Sequence, residues 1–163
     1  MKNTFLIIPF LALGMVSCSD GMGGIPLITV DSIQINGESI GRNILYPIPM
    51  NATFRVFTTL EAYDGTLRSF NTEVNYGENE VSGYQKAIEF EKDVVSDDKN
   101  MTNPEEGVLR FKDGVVKTNV AVETIAPSTK DTLKLRFYLN TDDKGTKEEL
   151  VFKIVSKSHR END

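Results

Sequence analysis

Tryptophan is absent from the chain, histidine and cysteine occur once each, and no long apolar run follows the first sixteen residues. Each shortage removes a class of chemistry. The single histidine, His159, stands in the polar, aperiodic stretch 156–163. The base of a Ser-His-Asp triad is held by packing and by a third group, which a frayed terminus does not supply. One histidine and one cysteine do not close a tetrahedral zinc shell. A lone thiol makes no internal disulfide, so stability has to come from core packing. Sugar platforms usually rely on flat aromatic rings, and here tyrosine would have to provide them. Tyr46, Tyr63, Tyr76, Tyr84 and Tyr138 are the candidates, with core or edge packing as their alternative use.

Positive charge is also short: 18 Lys and Arg stand against 24 Asp and Glu, a net charge of −6. No basic stripe offsets it, which argues against nucleic acid and against direct adhesion to an acidic membrane surface. Solubility is the plain use of such a balance.

What the sequence does contain begins with Lys2, followed by an apolar run from Phe5 to Val16. A positive n-region before an apolar segment of about a dozen residues is a secretory leader. It falls short of the roughly 20 residues of a spanning helix. Ser17 and Cys18 follow at once, then Ser19, Asp20 and a glycine-rich stretch. Met15-Val16-Ser17-Cys18 resembles a lipobox, with methionine in place of the commoner leucine. The resemblance implies that Cys18 receives diacylglycerol, becomes the new N-terminus and is N-acylated. Two or three chains make release negligible, since each buried methylene contributes about 0.8 kcal/mol. The leader with Ser19-Asp20 also resembles those of Bacteroidetes-type outer-membrane lipoproteins. This implies a lipid-anchored outer-membrane protein, with the cell surface and the periplasmic face both open as addresses.

The expected organisation is a signal peptide over 1–17, lipidated cysteine and flexible tether over 18–27, one domain over 28–155 and a polar tail over 156–163. Gly21, Gly23, Gly24 and Pro26 give the tether its character. At most about 30 Å of reach follows from nine residues, keeping the domain close to its bilayer.

Within the domain the dominant signal has period two. Ala52, Phe54, Val56, Thr58, Leu60 and Ala62 alternate with mostly polar neighbours, as do Leu133, Leu135, Phe137 and Leu139, and then Leu150, Phe152 and Ile154. Successive strand side chains face opposite ways, so these are half-buried antiparallel strands. Weaker alternation covers 29–36, 69–76, 84–91, 107–111 and 116–124. Val30 and Ile33 are out of phase, which predicts a bulge. Asn36-Gly37, Asp64-Gly65 and Asp113-Gly114 read as tight hairpin turns, and 141–146 as a longer loop joining the last two strands. The proline-locked Ile44–Pro49 segment is extended but cannot be a central strand. No stretch of helical period stands out.

About eight short strands with little helix predict an all-β fold, a single antiparallel β-sandwich, with a closed barrel as the main alternative. The final pair, Thr132–Leu139 with Leu150–Ile154, resembles the closing strands of an immunoglobulin-like module. The Cys-Trp-Cys pin of antibody domains is missing, so the resemblance is architectural.

Candidate chemistry is sparse. Glu89 and Glu91 flank Phe90 and would share a strand face, as an acid–base pair requires, but that face is the wet one. Asp97-Asp98-Lys99-Asn100 and Asp142-Asp143 are the densest oxygen clusters for calcium, though neither has EF-hand spacing and each adjoins a lysine. Asp31-Ser32-Ile33 and Asp131-Thr132-Leu133 resemble the acceptor triplet of Bacteroidetes O-glycosylation, which implies glycans on Ser32 and Thr132. No catalytic, metal or cofactor site is expected. The reading is a non-enzymatic binding or accessory lipoprotein, held to a membrane through Cys18 and meeting a protein or glycan partner. The alternatives are a glycan-binding or weakly glycan-processing protein, and a structural or fimbria-like subunit. Oligomeric state is open.

Overall fold

The computed structural model describes residues 24–41, 46–83, 85–129 and 131–156. Its strands are β1 (Leu27–Ile35), β2 (Glu38–Gly41), β3 (Ile48–Pro49), β4 (Thr53–Glu61), β5 (Leu67–Tyr76), β6 (Val81–Ser82), β7 (Gln85–Phe90), β8 (Val108–Arg110), β9 (Lys117–Ile125), β10 (Thr132–Thr141) and β11 (Gly145–Val155). The one helical element among them is a 3-10 turn, Pro104–Glu106. A five-stranded sheet runs β2-β1-β4-β9-β7, and a second runs β3-β11-β10-β5-β6 with β8 also on β5.

The two sheets close on each other because their period-two faces have nowhere else to go. Ala52, Phe54, Val56, Thr58, Leu60 and Ala62 are all buried, as are Leu133, Leu135, Phe137, Leu139, Leu150, Phe152 and Ile154. Phe54 on β4 meets Phe152 on β11 across the interface, ring centroids 5.2 Å apart. Within the second sheet Phe70 and Phe137 stack at 5.6 Å. Fully burying such a ring stabilises by about 1.5–3 kcal/mol, so the core carries the fold. The buried Thr58 hydroxyl stays satisfied by donating to the Val120 carbonyl at 2.9 Å.

The expected bulge is present: the β1–β4 register slips between Val30 and Ser32, which returns Ile33 and Ile35 to the core side. Other expectations need correction. Eleven strands are described rather than about eight, because β2, β3 and β6 have only two to four residues. Pairing is not wholly antiparallel, since β3 lies parallel to β11 through Ile48 and Ile154.

Only one of the three dipeptide turns makes a hairpin. Asn36 and Gly37 adopt φ of 50° and 85° between β1 and β2, as a tight turn requires. Asp64-Gly65 and Asp113-Gly114 instead carry the chain from one sheet to the other, joining β4 to β5 and β8 to β9. Between β10 and β11 the loop is shorter than 141–146, because Asn140 pairs with Gly145 and Thr141 N–H donates to the Lys144 carbonyl.

Residues 24–27 pack on the domain. Leu27 already pairs with Glu61, Pro26 is buried, and Gly24 N–H donates to Asp64 Oδ2 at 2.7 Å.

Candidate functional site

Strand β4 shows why the outer face of the first sheet is unusual. Its outward positions are Thr53, Arg55, Phe57, Thr59 and Glu61, so one aromatic ring stands on an otherwise polar face. Residues directly opposite one another in a ladder share a face. Phe57 is opposite Ser32 on β1 and Ala121 on β9, and Ala121 is opposite Glu89 on β7. Ala121 is small, and the Phe57 ring beside it stays half-exposed. Phe57 thereby floors a recess of about 360 Å³, with Asp31, Glu89, Glu91 and Asn119 among its walls.

These polar groups are held by one another. The Arg55 guanidinium lies 4.8 Å from the Phe57 ring centroid and pairs with Glu89. Thr59 Oγ1 donates to Asp31 Oδ2 at 2.8 Å and lies 3.0 Å from Asn119 Oδ1. Asn119 Nδ2 donates to Glu91 Oε1 at 3.4 Å. Glu89 and Glu91 thus line one recess, as their spacing predicts, although β7 ends at Phe90. A flat apolar floor ringed by carboxylates and an amide suits contact with a ring bearing hydroxyls, or with a peptide side chain.

The other sequence candidates are dispersed. Cys18, Tyr84 and His159 lie outside the described residues. Ser32 sits half-buried at the β1 bulge and Thr132 half-buried at the start of β10. The tyrosines form no common platform among the described residues. Tyr76 donates its hydroxyl to the Ile125 carbonyl at 2.7 Å, and Tyr138 donates to Glu73 Oε2 at 3.0 Å. Tyr63 packs beside Gly24, and Tyr46 precedes the edge strand β3. Asp98 is occupied as a turn former, its Oδ1 accepting from Asn100 N–H at 2.9 Å. Asp142 accepts from Arg68 and Thr66. The Arg68 hydrogen bond holds the Asp142 carboxyl below its ordinary pKa. No group of three or more His, Cys, Asp or Glu is placed to hold a metal among the described residues.

A second recess, of about 520 Å³, lies on the outer face of the other sheet around Arg136. Arg136 stands opposite Glu73 on β5 and Glu149 on β11. Its guanidinium donates to Glu149 and, by two hydrogen bonds of 2.8 and 2.6 Å, to Glu80 in the β5–β6 turn. Lys134 Nζ reaches the same Glu80 carboxylate at 3.0 Å. These donors are committed to carboxylates, so the network works as a clasp on the turn rather than an anion site. Glu80 itself sits at φ 50°, a conformation side chains other than glycine seldom adopt.

Hydrogen bonding from Arg136, then from Lys134, lowers the Glu80 pKa from its ordinary 4.5 to about 2. A depressed folded-state pKa contributes stability that is present above pH 4.5 and lost as pH falls through about 2. Glu80→Gln is therefore expected to flatten the decline of stability over that window. Urea unfolding of parent and variant across the window checks it, and parallel curves would contradict it.

Sequence reasoning missed Phe57 and the Glu80 clasp for different reasons. Phe57 was visible as the one ring among the polar members of the 52–62 alternation. Glu80 and Arg136 are 56 residues apart, and nothing local announces their meeting.

Among solved structures, a DUF4466 family protein from Parabacteroides merdae is similar at 14% identity, with a TM-score of 0.46 over 80% of this chain and 44% of that one. The chain thus spans less than half the length of that protein. The human F-spondin reeler domain is similar at 16% identity, with a TM-score of 0.38 over 77% of this chain and 91% of that one. A family 123 glycoside hydrolase from Clostridium perfringens aligns at 8% identity, with a TM-score of 0.43 over 80% of this chain and 27% of that one. None of the curated proteins matches the sequence. One family model does, over residues 18–154, and the chain accordingly belongs to the family described as "Domain of unknown function (DUF5035)".

Proposed function

We propose that the chain is a non-enzymatic binding or accessory lipoprotein of a bacterial outer membrane, held through lipid on Cys18 and engaging its partner on the outer face of the first sheet. The immunoglobulin-like reading of the closing strands belongs to the same proposal. The observation that carries the binding surface is the half-buried Phe57 ring beside Ala121, with Arg55 against it and Asp31, Glu89, Glu91 and Asn119 around the recess. Arg55 already engages Glu89, which favours binding over acid–base work by the Glu89–Glu91 pair.

Within this reading the partner is a protein or a glycan, and the ring with its hydrogen-bonding rim favours the glycan. Ser32 stands directly opposite Phe57, so O-glycosylation there would compete with ligand for the face. A fimbria-like subunit that accepts a foreign strand is disfavoured. On β11, which pairs with β3 only at Ile154 and Val155, Glu148 stands opposite core residue Phe137 and turns a carboxylate inward. Inward charge near a sheet edge opposes strand addition.

A glycan array and an overlay of envelope proteins, each probed with parent and Phe57→Ala, test the surface. Loss of the ring contact is expected to weaken binding about tenfold, the equivalent of roughly 1.4 kcal/mol, with the unfolding midpoint lowered only slightly. Binding indifferent to Phe57→Ala, or saturable hydrolysis of a polysaccharide or ester, would overturn the proposal.

A further inference from the structure

Scattered single apolar side chains on a surface are ordinary. Here they are gathered. Ile25, Leu27, Tyr63 and Val116 are 66%, 41%, 60% and 52% exposed, and they account for half of the exposed large apolar side chains among the described residues. All four belong to one end of the first sheet, where β1 begins, β4 ends and β9 begins. Leu27 pairs with Glu61, Glu61 with Lys117, and Ala62 N–H donates to the Val116 carbonyl at 2.8 Å. Gly24 brings the incoming chain hard against Tyr63, because a Cβ there would lie 2.4 Å from that of Tyr63.

We infer that this end of the sandwich is a membrane-contacting surface that seats in the interfacial layer of the bilayer holding the anchor. The inference rests on the proposed lipidation of Cys18, and the chain length supplies the argument for lipid as occupant. Cys18 to Gly24 is six residues, a reach of at most about 20 Å. Gly24 is fixed at this end by its hydrogen bond to Asp64. The domain therefore hangs from its apolar end, and that end is the part nearest the lipid. Tyrosine beside aliphatic residues is the composition that headgroup layers favour. Part of the local charge is paired, Lys117 with Glu61 at 3.1 Å and Arg68 between Asp113 and Asp142, while Asp64 accepts the Gly24 N–H. The contact would also orient the Phe57 face relative to the membrane.

With Cys18 acylated the mature chain has no free thiol, so a single introduced cysteine takes one spin label. Ile25→Cys and Val116→Cys place it at the apolar end. Ser128→Cys, in the exposed turn between β9 and β10 at the opposite end, is the control. The full lipidated chain is reconstituted into phosphatidylethanolamine–phosphatidylcholine vesicles, and collisions with oxygen and with a water-soluble nickel chelate are measured. The ratio of oxygen to nickel accessibility is expected to be several-fold higher at positions 25 and 116 than at 128. Equal, aqueous values in protein that floats with the vesicles would overturn the docking and leave the anchor standing. Labels shielded from both reagents would place another polypeptide on the patch and equally overturn it. Protein that does not float would remove the anchor reading, and the docking with it.

Discussion

Phe152→Ala is expected to destabilise the domain by about 3–5 kcal/mol, the range for removing a buried ring from a packed core. Phe152 is fully buried on β11 and faces Phe54 of the opposite sheet at 5.2 Å. Its loss opens a cavity between layers rather than within one, and strands on both sides are held by full ladders that limit collapse. Domains of this size are stable by only about 5–15 kcal/mol, so one ring is a large share. No internal disulfide compensates in a chain with one cysteine. Equilibrium urea unfolding of the two proteins provides the measurement. Val151→Ala, at the neighbouring but 42% exposed position, is expected to change stability by no more than about 0.5 kcal/mol. Similar losses at 151 and 152 would mean that the sheet interface is not where the stability lies.

On the proposed lipidation of Cys18, Cys18→Ala is expected to release the protein from membranes. Its remaining attachments would be the expected leader, left uncleaved, with about a dozen apolar residues against the roughly 20 that span a bilayer, and the small apolar end around Tyr63. Neither approaches the hold of two or three acyl chains. Alkaline carbonate extraction separates the cases, with parent in the pellet and variant in the supernatant. A variant pelleting as firmly as its parent would mean that something other than the thioether holds the chain.

The long strands were legible because burial on one side writes itself into alternate residues. The run from Ala52 to Ala62 is long enough for period two to exclude other readings, and all six inward positions are buried. Even the β1 bulge could be read from the phase slip between Val30 and Ile33, since a single extra residue is what restores the pattern. The short edge strands β2, β3 and β6 could not, because two to four residues establish no period.

Turn chemistry was legible as geometry but not as topology. Gly65 and Gly114 do adopt positive φ, at 75° and 82°, yet they turn the chain between sheets instead of folding a strand back on its neighbour. A dipeptide fixes its own dihedral angles, whereas the sheet joined by the following strand depends on partners dozens of residues away.

The candidate site divides the same way. Phe57 breaks the polar alternation of β4 and was open to notice, but the recess needs Ala121 from β9 and carboxylates from β1 and β7. The tyrosines are legible as rings, but two of them are held by single hydrogen bonds, Tyr76 to Ile125 and Tyr138 to Glu73.

The most direct measurement is the intact mass of the mature protein purified from its native membrane. The account predicts a chain beginning at Cys18 and heavier than its polypeptide by a diacylglyceryl group and an N-linked acyl chain, with hexose increments if Ser32 and Thr132 are glycosylated. An N-terminus elsewhere, or an unmodified Cys18 thiol, would contradict it.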